Sequence, residues 1–206
     1  MDRPGRPAPH RPEVADADRW RQLGDVLARG FEDDPVWRYL VPDDRRWAVH
    51  LGAVFGRMLR RSAEAGTTWT TSADEGVAVW AAPGTWRTPW SEVLRSAPTL
   101  VRGFGPGGLP RALRALGALE AGHPEEPHWY LEFLATEPHL RGKGLGTALL
   151  APVLERCDAE GLPAYLESSK RENLPFYARF GFEVTEELPT GGRDAPPCWR
   201  MWRDPR

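Results

Sequence analysis

The sequence predicts an α+β domain in which helices flank a central twisted sheet, mixed in direction but mostly antiparallel. Three observations carry this prediction. An aromatic and aliphatic run at residues 129–136 has the composition of a central strand. A glycine-rich loop then leads into apolar residues at helical spacing, which end at Gly161. Earlier in the chain, alternating runs on both sides of residues 73–75 are typical of an antiparallel hairpin.

The remaining elements follow from periodicity, caps and breaks. The first predicted helix covers residues 19–31 and ends at the acidic turn of residues 32–34, which Pro35 follows. Asp43 or Asp44 is predicted to cap a second helix that runs to about Gly66. The other predicted elements are strands at 67–72, 76–82 and 164–168, helices near 91–101 and 110–121 around a glycine-rich break at 103–108, and a short helix around Pro175.

Composition favours a single domain of ordinary size. The chain has 206 residues, of which 41% are hydrophobic, and this is enough for one large core. Residues 1–12 hold four prolines and no hydrophobic period, so we predict a disordered tail followed by one domain at 13–206. Within that domain, residues 13–127 form one half, and residues 128–206 form a second half that carries the motifs described below.

Charge and residue types exclude several classes of function. The net charge of −2 gives no electrostatic basis for binding nucleic acid. No apolar run approaches 18 residues and the N-terminus lacks a signal-peptide core, so we expect a cytoplasmic protein that does not associate with a membrane. Two cysteines and five scattered histidines show no metal-ligand spacing. No metal site is therefore expected.

The glycine-rich stretch at residues 141–147 is the strongest chemical signal in the chain. It lies between the predicted central strand and the following helix, where the first N–H groups of a helix lack partners and the helix dipole is positive. Glycines at alternate positions remove the Cβ atoms that would hold a ligand away, and Arg141 and Lys143 add positive charge. The stretch is therefore predicted to bind a pyrophosphate.

Two better-known glycine loops do not fit this stretch. A Walker A loop places Ser or Thr directly after Gly-Lys, whereas Gly144 follows Lys143 here. A dinucleotide-binding fingerprint requires the spacing G-x-G-x-x-G, whereas Gly142, Gly144 and Gly146 give G-x-G-x-G. Both interpretations are excluded by spacing.

Two motifs in this order resemble those of the GNAT family of N-acetyltransferases. The first is R-x-x-G-x-G, matched by Arg141, Gly144 and Gly146. The second is N-x-x-x-F-Y-x-x-x-G-F, which begins at Asn173 and contains Tyr177. The resemblance covers roughly residues 14–203. It implies the GNAT acyl-CoA N-acyltransferase fold, with an acceptor-side half at about 13–127 and an acetyl-CoA-binding half at about 128–206.

The resemblance also implies acetyl-CoA as co-substrate and a set of binding residues. Backbone groups of the central strand would hold pantetheine, the glycine-rich loop would hold pyrophosphate, and Asn173 would bond the pantetheine or phosphate arm. Tyr177 would lie near the thioester sulfur and act as general acid. The implied cofactor-binding residues are Leu134, Ala135, Thr136, Arg141, Gly142, Lys143, Gly144, Leu145, Gly146, Thr147, Asn173 and Tyr177.

The remaining site residues are less strongly indicated. Within the family, residues 165–185 most resemble puromycin N-acetyltransferase and its actinobacterial relatives, although acceptors vary on a shared fold. Predicted acceptor-binding residues are Trp37, Tyr39, Trp86 and Trp90, whose rings suit a flat or hydrophobic amine. Glu132, an acid within an apolar strand that strict alternation places on one face with Tyr130, Leu134 and Thr136, is the first candidate for general base. Glu167 and the acidic turn at residues 32–34 are the alternatives.

The predicted function is direct transfer of acetyl from acetyl-CoA to a primary amine of a small molecule, in a ternary complex. The sequence leaves two alternatives open, a peptide or protein N-acetyltransferase and a non-catalytic acyl-CoA sensor. Tyr177 and Asn173 argue against a mere sensor, and the aromatic middle section favours a small acceptor. Either a monomer or a homodimer is expected.

Overall fold

The computed structural model describes residues 9–10, 17–71, 73–192 and 194–206. Of the predicted disordered tail, residues 1–8 and 11–12 lie outside the described residues. Pro9–His10 forms a two-residue strand, β1, which pairs with Thr71 and Thr70. The described chain has the predicted α+β architecture, in which one mixed sheet lies between two layers of helices.

The strands confirm the predicted sheet. Beyond β1 they are β2 at Thr68–Thr71, β3 at Gly76–Ala81, β4 at Trp129–Thr136, β5 at Ala164–Ser168, β6 at Glu183–Pro189 and β7 at Pro197–Arg203. The described residues form a seven-stranded sheet in the order β1-β2-β3-β4-β5-β7-β6. Strands β4 and β5 run parallel, and every other neighbouring pair is antiparallel.

The helices include one that the sequence analysis did not predict. They are α1 at Ala17–Gly30, α2 at Pro35–Leu40, α3 at Asp44–Glu64, α4 at Trp90–Ala121, α5 at Leu145–Glu160 and α6 at Leu174–Ala178. The unpredicted helix is α2, which has only six residues. The same Asp34 and Pro35 that end the preceding turn also start α2, because Asp34 caps it and Pro35 occupies its first turn.

Helix α4 contains the predicted glycine-rich break, reduced to a single residue. Gly105 has φ 66° and ψ −179°, and the backbone is helical on both sides of it. Gly103, two residues earlier, lies against α3, since a Cβ at this position would stand 2.3 Å from Cγ2 of Val54. The break therefore lets the two halves of α4 run in different directions while its centre stays packed on α3.

Each face of the sheet has its own hydrophobic core. The core on the face covered by α1 and α3, called the α3 face below, includes Leu23, Leu27, Leu51, Phe55, Val77, Val79 and Ala135. The core on the opposite face, called the α5 face, includes Ala78, Trp80, Leu131, Leu149, Val153, Leu166 and Met201. Alternate residues of β3 thus pack on opposite sides, as expected of a strand buried between two layers.

Strand β4 carries a bulge at Glu132. Val79 of β3 is paired with Phe133 and Trp80 with Leu131, so Glu132 has no partner of its own on β3. Leu131 packs on the α5 face, whereas Phe133 packs against the core of the α3 face. The predicted strict alternation, which grouped Glu132 with Leu134, is therefore wrong, because the bulge puts Leu134 on the α5 face.

Asp34 is the N-cap of α2 and also forms a hydrogen bond with a residue that follows β5. Its carboxylate accepts a hydrogen bond from the backbone N–H of Trp37 at 3.0 Å and another from the hydroxyl of Ser169, just beyond β5. The side chain is buried. It thus satisfies a helix end and joins α2 to the sheet at the same time.

We expect Asp34→Ala to lower the free energy of unfolding by more than the about 1 kcal/mol typical of a lost helix cap. The added cost arises because the partly buried Ser169 hydroxyl loses its partner. Asp43→Ala is the matched control, since Asp43 caps α3 by the same kind of bond but is exposed. Urea unfolding measures both variants. An equal loss in the two would contradict a role for Asp34 beyond capping.

Candidate active site

The glycine-rich stretch, called the glycine loop below, has the backbone of an anion site. It joins a short 3-10 helix at Pro138–Leu140 to the first turn of α5. Gly142 and Gly144 adopt the left-handed region, with φ of 79° and 86°. Gly144 is the N-cap of α5 and offers no side chain to the N–H groups of the first turn. These donors and the helix dipole are left to an external anion.

Gly146 serves a different purpose in the same loop. A Cβ at this position would lie 3.1 Å from Cζ of Phe176 on α6. A larger residue would therefore push α6 away from α5. The contact brings the two motifs of the sequence, which are separated along the chain, to the same place.

Strands β4 and β5 part halfway along their length. Their parallel pairing covers only Trp129–Leu131 and Ala164–Leu166, whereas β4 stays paired with β3 as far as Thr136. Within the described strands, the edge of residues 134–136 that faces β5 therefore has no ladder partner. The parted strands form a V-shaped space, called the cleft, whose apex follows Leu131 and Leu166. An extended ligand arm with amide groups can pair with this open edge.

The acidic turn at residues 32–34 spans the open end of the cleft. Asp33 accepts hydrogen bonds from Arg141, at 3.0 and 3.1 Å, and forms an ion pair of 2.5 Å with Lys170 beyond β5. Arg141 also donates to the carbonyl of Gly30 at 3.0 Å. These bonds lower the pKa of Asp33 to about 2, chiefly through Arg141. Together with the Asp34–Ser169 bond, they tie the ends of both parted strands to one turn.

The partners of Asp33 and Asp34 indicate the role of the acidic turn in the site. Asp33 is ionised and engaged by two cations, and Asp34 caps α2 and bonds Ser169. Burial raises the pKa of Asp34, while its hydrogen bonds oppose the rise. Asp33 and Asp34 thus act as a structural brace, and their carboxylates are occupied by partners.

Tyr177 lies on α6 with the environment of a proton donor. It is 8% exposed, and its ring contacts Phe176 and Phe182. Burial, with a smaller effect of the Asp34 charge, raises the pKa of the phenol far above its ordinary value. The hydroxyl therefore keeps its proton at neutral pH. Asn173, at the start of α6, is exposed and makes no capping bond there, so its amide is available to a ligand.

Glu132 occupies the apex of the cleft through the bulge of β4. Its carboxylate accepts a hydrogen bond of 2.9 Å from the hydroxyl of Ser62 on α3, which places it on the α3 face. Burial raises the pKa of Glu132, and the Ser62 bond and the Arg61 charge oppose the rise. A partly buried carboxyl with a raised pKa, next to a cleft, is suited to accept a proton.

Glu167 stands across the apex from Glu132. Each residue directly follows the last paired residue of its strand, Leu166 or Leu131. The Glu167 side chain is only 6% exposed and accepts a hydrogen bond of 2.7 Å from the hydroxyl of Tyr165. Burial raises its pKa, and hydrogen bonds from Tyr165 and Tyr130 oppose the rise. The structure thus places two of the three sequence candidates for general base at neighbouring positions on either side of the apex.

The four predicted acceptor-binding rings are not brought together as one wall. Trp37 belongs to an aromatic cluster beside the bulge, with centroids 4.4 Å from Phe55 and 6.2 Å from Phe133. Trp86 stacks on His123 at 3.7 Å. Trp90 begins α4 with a side chain that is 81% exposed, so it cannot line a buried pocket.

The fourth ring, Tyr39, lies where three segments close over the α3 face. Its ring is under the guanidinium of Arg111 from α4, at 5.3 Å, and its hydroxyl lies against Gly192 in the β6–β7 loop. Gly191 in that loop has φ 94° and packs on the backbone of Arg114. Helix α4 and the β6–β7 loop together form a roof over part of the α3 face.

Sequence reasoning missed several residues of this site. Lys170 and Ser169 follow β5 directly, and their position at the open end was deducible from parallel strands ending at one edge. The contacts of His123 and His128 had no sequence signal, because their partners come from distant strands.

Among the described residues, no three His, Cys, Asp or Glu side chains gather as a metal site. No helix in the described ranges is long and apolar enough to cross a membrane.

Comparisons with known proteins agree with this geometry. The model of the acetyltransferase (GNAT) family matches residues 85–182. An uncharacterized N-acetyltransferase of Schizosaccharomyces pombe is 28% identical over 183 residues, covering 84% of this chain and 74% of that protein. A solved structure of a histone acetyltransferase and related acetyltransferase from Corynebacterium glutamicum is 27% identical, with a TM-score of 0.69 and 97% coverage of both chains. A Drosophila melanogaster polyamine N-acetyltransferase is 16% identical with a TM-score of 0.62, covering 96% of this chain and 99% of that one, and so supports the fold alone.

The cleft, the glycine loop and these matches define an acyl-CoA-dependent transferase. The predicted fold is confirmed as the GNAT fold. The chain is an acetyl-CoA-dependent N-acetyltransferase with the GNAT fold, and acetyl-CoA is its co-substrate.

We expect Gly144→Val to abolish binding of acetyl-CoA at concentrations that saturate the wild type. At φ 86° a branched side chain is strained, and the loop must leave the shape that presents its N–H groups. Isothermal titration calorimetry with acetyl-CoA measures the change.

The matched control for this variant is Gly161→Val at the other end of the same helix. Gly161 also has a left-handed φ, of 65°, and its Cβ would meet nothing within 4 Å. The control carries similar backbone strain but should bind acetyl-CoA normally. Equal loss of binding in both variants would assign the effect to unfolding of α5 and not to the glycine loop.

Proposed function

We propose that the protein transfers the acetyl group of acetyl-CoA to a primary amine of a small molecule, by direct attack in a ternary complex. The observation that carries this proposal is the pair of carboxyls at the apex of the cleft, on the roofed α3 face. An amine that reaches the apex from this face meets Glu132 and Glu167. Opposite charge favours the ammonium form on arrival, and a carboxylate can then take its proton.

The cofactor side follows from the glycine loop and the open strand edge. The first-turn N–H groups of α5 and Lys143 would hold the pyrophosphate, and Arg141, bonded to Asp33 and the Gly30 carbonyl, would add positive charge beside it. The free edge of residues 134–136 would pair with the amide groups of pantetheine, with Asn173 near the same arm. An N–H of β4 near the bulge would polarise the thioester carbonyl, since the bulge leaves backbone donors outside the ladder.

The roof favours a small acceptor over a peptide. Helix α4, α2 and the β6–β7 loop contact each other through Tyr39, Arg111 and Gly192, and they cover the face from which an acceptor must approach. A peptide requires an open groove for several residues of extended chain. Trp37, beside the bulge, and Trp86, stacked on His123, supply apolar surface for the acceptor within this covered space.

The acid and base have separate positions. Glu132 would remove a proton from the ammonium group, and Tyr177, on the other side of the cleft, would protonate the thiolate as the C–S bond breaks. A raised carboxyl pKa brings the base nearer to neutral pH, and a raised phenol pKa keeps the acid protonated. The raised pKa thus makes the Glu132 carboxylate a stronger base, and the Tyr177 phenol keeps its proton at neutral pH.

Purified protein with acetyl-CoA should release thiol when a suitable amine is present, which a chromogenic thiol reagent measures. The acceptor panel comprises puromycin, aminoglycosides, polyamines, amino acids and short peptides. Puromycin tests the narrower resemblance of residues 165–185. Release with a small amine and not with peptides is the expected result. Release with peptides alone would replace the small-molecule proposal by peptide acetylation, and silence with intact acetyl-CoA binding would favour a sensor.

Tyr177→Phe should lower kcat by about 10²-fold or more, the range of positioned acid catalysis. The affinity for acetyl-CoA should change little, because the ring still packs on Phe176 and Phe182. Steady-state kinetics gives kcat and calorimetry gives the affinity. An unchanged kcat would rule out the proton-donor role. A parallel loss of affinity and kcat would instead assign the residue to cofactor binding.

A further inference from the structure

Ser62, near the end of α3, holds the carboxyl of Glu132 from outside the sheet. Its hydroxyl donates a hydrogen bond of 2.9 Å to Oε2 of Glu132, which stands in the bulge of β4. Ser62 is only 5% exposed, so water has little access to replace its hydroxyl at the carboxyl. The contact therefore joins the helix layer of the α3 face to the apex of the cleft.

Ser62 is itself fixed by the turn that follows α3. Its carbonyl oxygen accepts two hydrogen bonds from Thr67, one from the backbone N–H at 2.8 Å and one from the hydroxyl at 3.0 Å. Gly66, which precedes Thr67, adopts the left-handed region with φ 70° and so lets the chain turn back after the helix. The position of Ser62 is therefore determined by bonds that do not involve Glu132.

The same turn is bonded to the strand that pairs with the bulge. The N–H of Trp80 on β3 donates a hydrogen bond of 3.1 Å to the carbonyl of Thr67. Trp80 is paired with Leu131, the residue directly before Glu132. A closed ring of contacts thus runs from Ser62 through Thr67, Trp80 and Leu131 to Glu132. The separation of the Ser62 hydroxyl from the bulge is consequently set by the backbone, and not by the two side chains alone.

The charged and titratable groups around Glu132 come from α3, β4 and β5. Burial raises the pKa of Glu132, while the Ser62 bond and, to a smaller extent, the Arg61 charge oppose the rise. Tyr130 on β4 keeps its proton, because burial and the charges of Glu167 and Glu132 raise the pKa of its phenol. Glu167 of β5 lies across the apex. Of the two groups that favour the ionised carboxyl, Ser62 is the one that contacts it directly.

We propose that Ser62 is the positioning residue of the general base, and that it holds the Glu132 carboxyl in one orientation both before and after the carboxyl takes a proton from the acceptor. The proposal rests on the function proposed above. A hydroxyl can donate to an ionised carboxylate and can accept from a protonated one. One residue therefore serves both states, whereas a Lys or Arg side chain can only donate and would serve the ionised state alone.

The proton step at Glu132 reverses the bond to Ser62. An N–H bond of the acceptor ammonium breaks, an O–H bond forms on the carboxyl, and this O–H can then donate to the Ser62 oxygen. The Ser62 proton turns to the helix carbonyl one turn earlier, a usual partner of serines within helices. Glu132 is partly exposed, so its new proton passes to water and the first bond is restored.

The test compares the pH dependence of kcat/KM in Ser62→Ala, Ser62→Thr and the wild type, with the amine that gives the highest thiol release in the panel above. Ser62→Ala removes a donor that favours the ionised carboxyl, so the pKa of Glu132 rises and the acidic limb should move up by about one pH unit. On the plateau kcat should fall by about 10-fold, because the carboxyl is no longer held towards the amine. Ser62→Thr keeps the hydroxyl and should leave the limb in place. Calorimetry should show unchanged affinity for acetyl-CoA in both variants.

The matched control is Ser96→Ala, because the Ser96 hydroxyl on α4 also bonds a side chain of α3, accepting from Arg57 at 3.0 Å. An unmoved limb in Ser62→Ala, or an equal shift in Ser96→Ala, would overturn the proposal. The role through Glu132 is tested by adding Ser62→Ala to Glu132→Gln, which should cause no further loss of kcat. A full additional loss would show that Ser62 acts elsewhere. Thermal unfolding of each variant identifies any loss that arises from misfolding.

A second measurement is independent of the acceptor. Carbon NMR of labelled glutamate carboxyls follows the titration of Glu132, whose signal is identified by its loss in Glu132→Gln. The pKa of Glu132 should be higher in Ser62→Ala than in the wild type and unchanged in Ser96→Ala. Equal pKa values in Ser62→Ala and the wild type would refute the proposal even if the enzyme is active. If the wild type acetylates no amine in the panel, the proposed function fails first, and the titration alone then decides whether Ser62 stabilises the ionised carboxyl.

Discussion

The parting of β4 and β5 is the constraint on which the other features of this protein depend. Parallel strands that separate leave backbone donors and acceptors without partners, and such groups are costly when they are buried. The protein limits this cost by keeping β4 paired with β3 on its other edge as far as Thr136, apart from the bulge at Glu132. It also fixes the separation from outside the sheet, since Asp33 engages Arg141 and Lys170 and Asp34 engages Ser169.

The bulge at Glu132 determines which side chains of β4 stand beside this separation. Without it, alternation would place the carboxyl and Phe133 on opposite faces. With it, both point to the α3 face, where Ser62 orients the carboxyl and the aromatic cluster surrounds Phe133. Glu132 and Glu167 then lie on either side of the apex, while α5 supports the opposite face through Leu149 and Val153. One face thus holds the apex carboxyls, and the other supplies the helix that starts at the glycine loop.

The sequence was sufficient for most of the fold because its signals are local. Strands β4 and β5 have the predicted bounds, since their apolar runs end at Pro138 and at a polar stretch, and α5 ends at Gly161 as its left-handed cap requires. Helix α2 was missed because its capping residues also end the preceding turn. The bulge, the brace of the acidic turn and the histidine pair depend on contacts between distant segments, which no local pattern records.

The packing of Gly191 and Gly192 on α4 and Tyr39 has a consequence for how this enzyme can diversify. The roof is one interlocked unit drawn from three distant parts of the chain, whereas the glycine loop and the brace lie outside it. Under the proposed function, a change of acceptor calls for coordinated replacement of α4 and the β6–β7 loop, and a chimaera that exchanges one without the other creates a mismatch at Gly191 and Gly192. If α4 and the β6–β7 loop are exchanged together, they can be replaced without altering the glycine loop or the cleft.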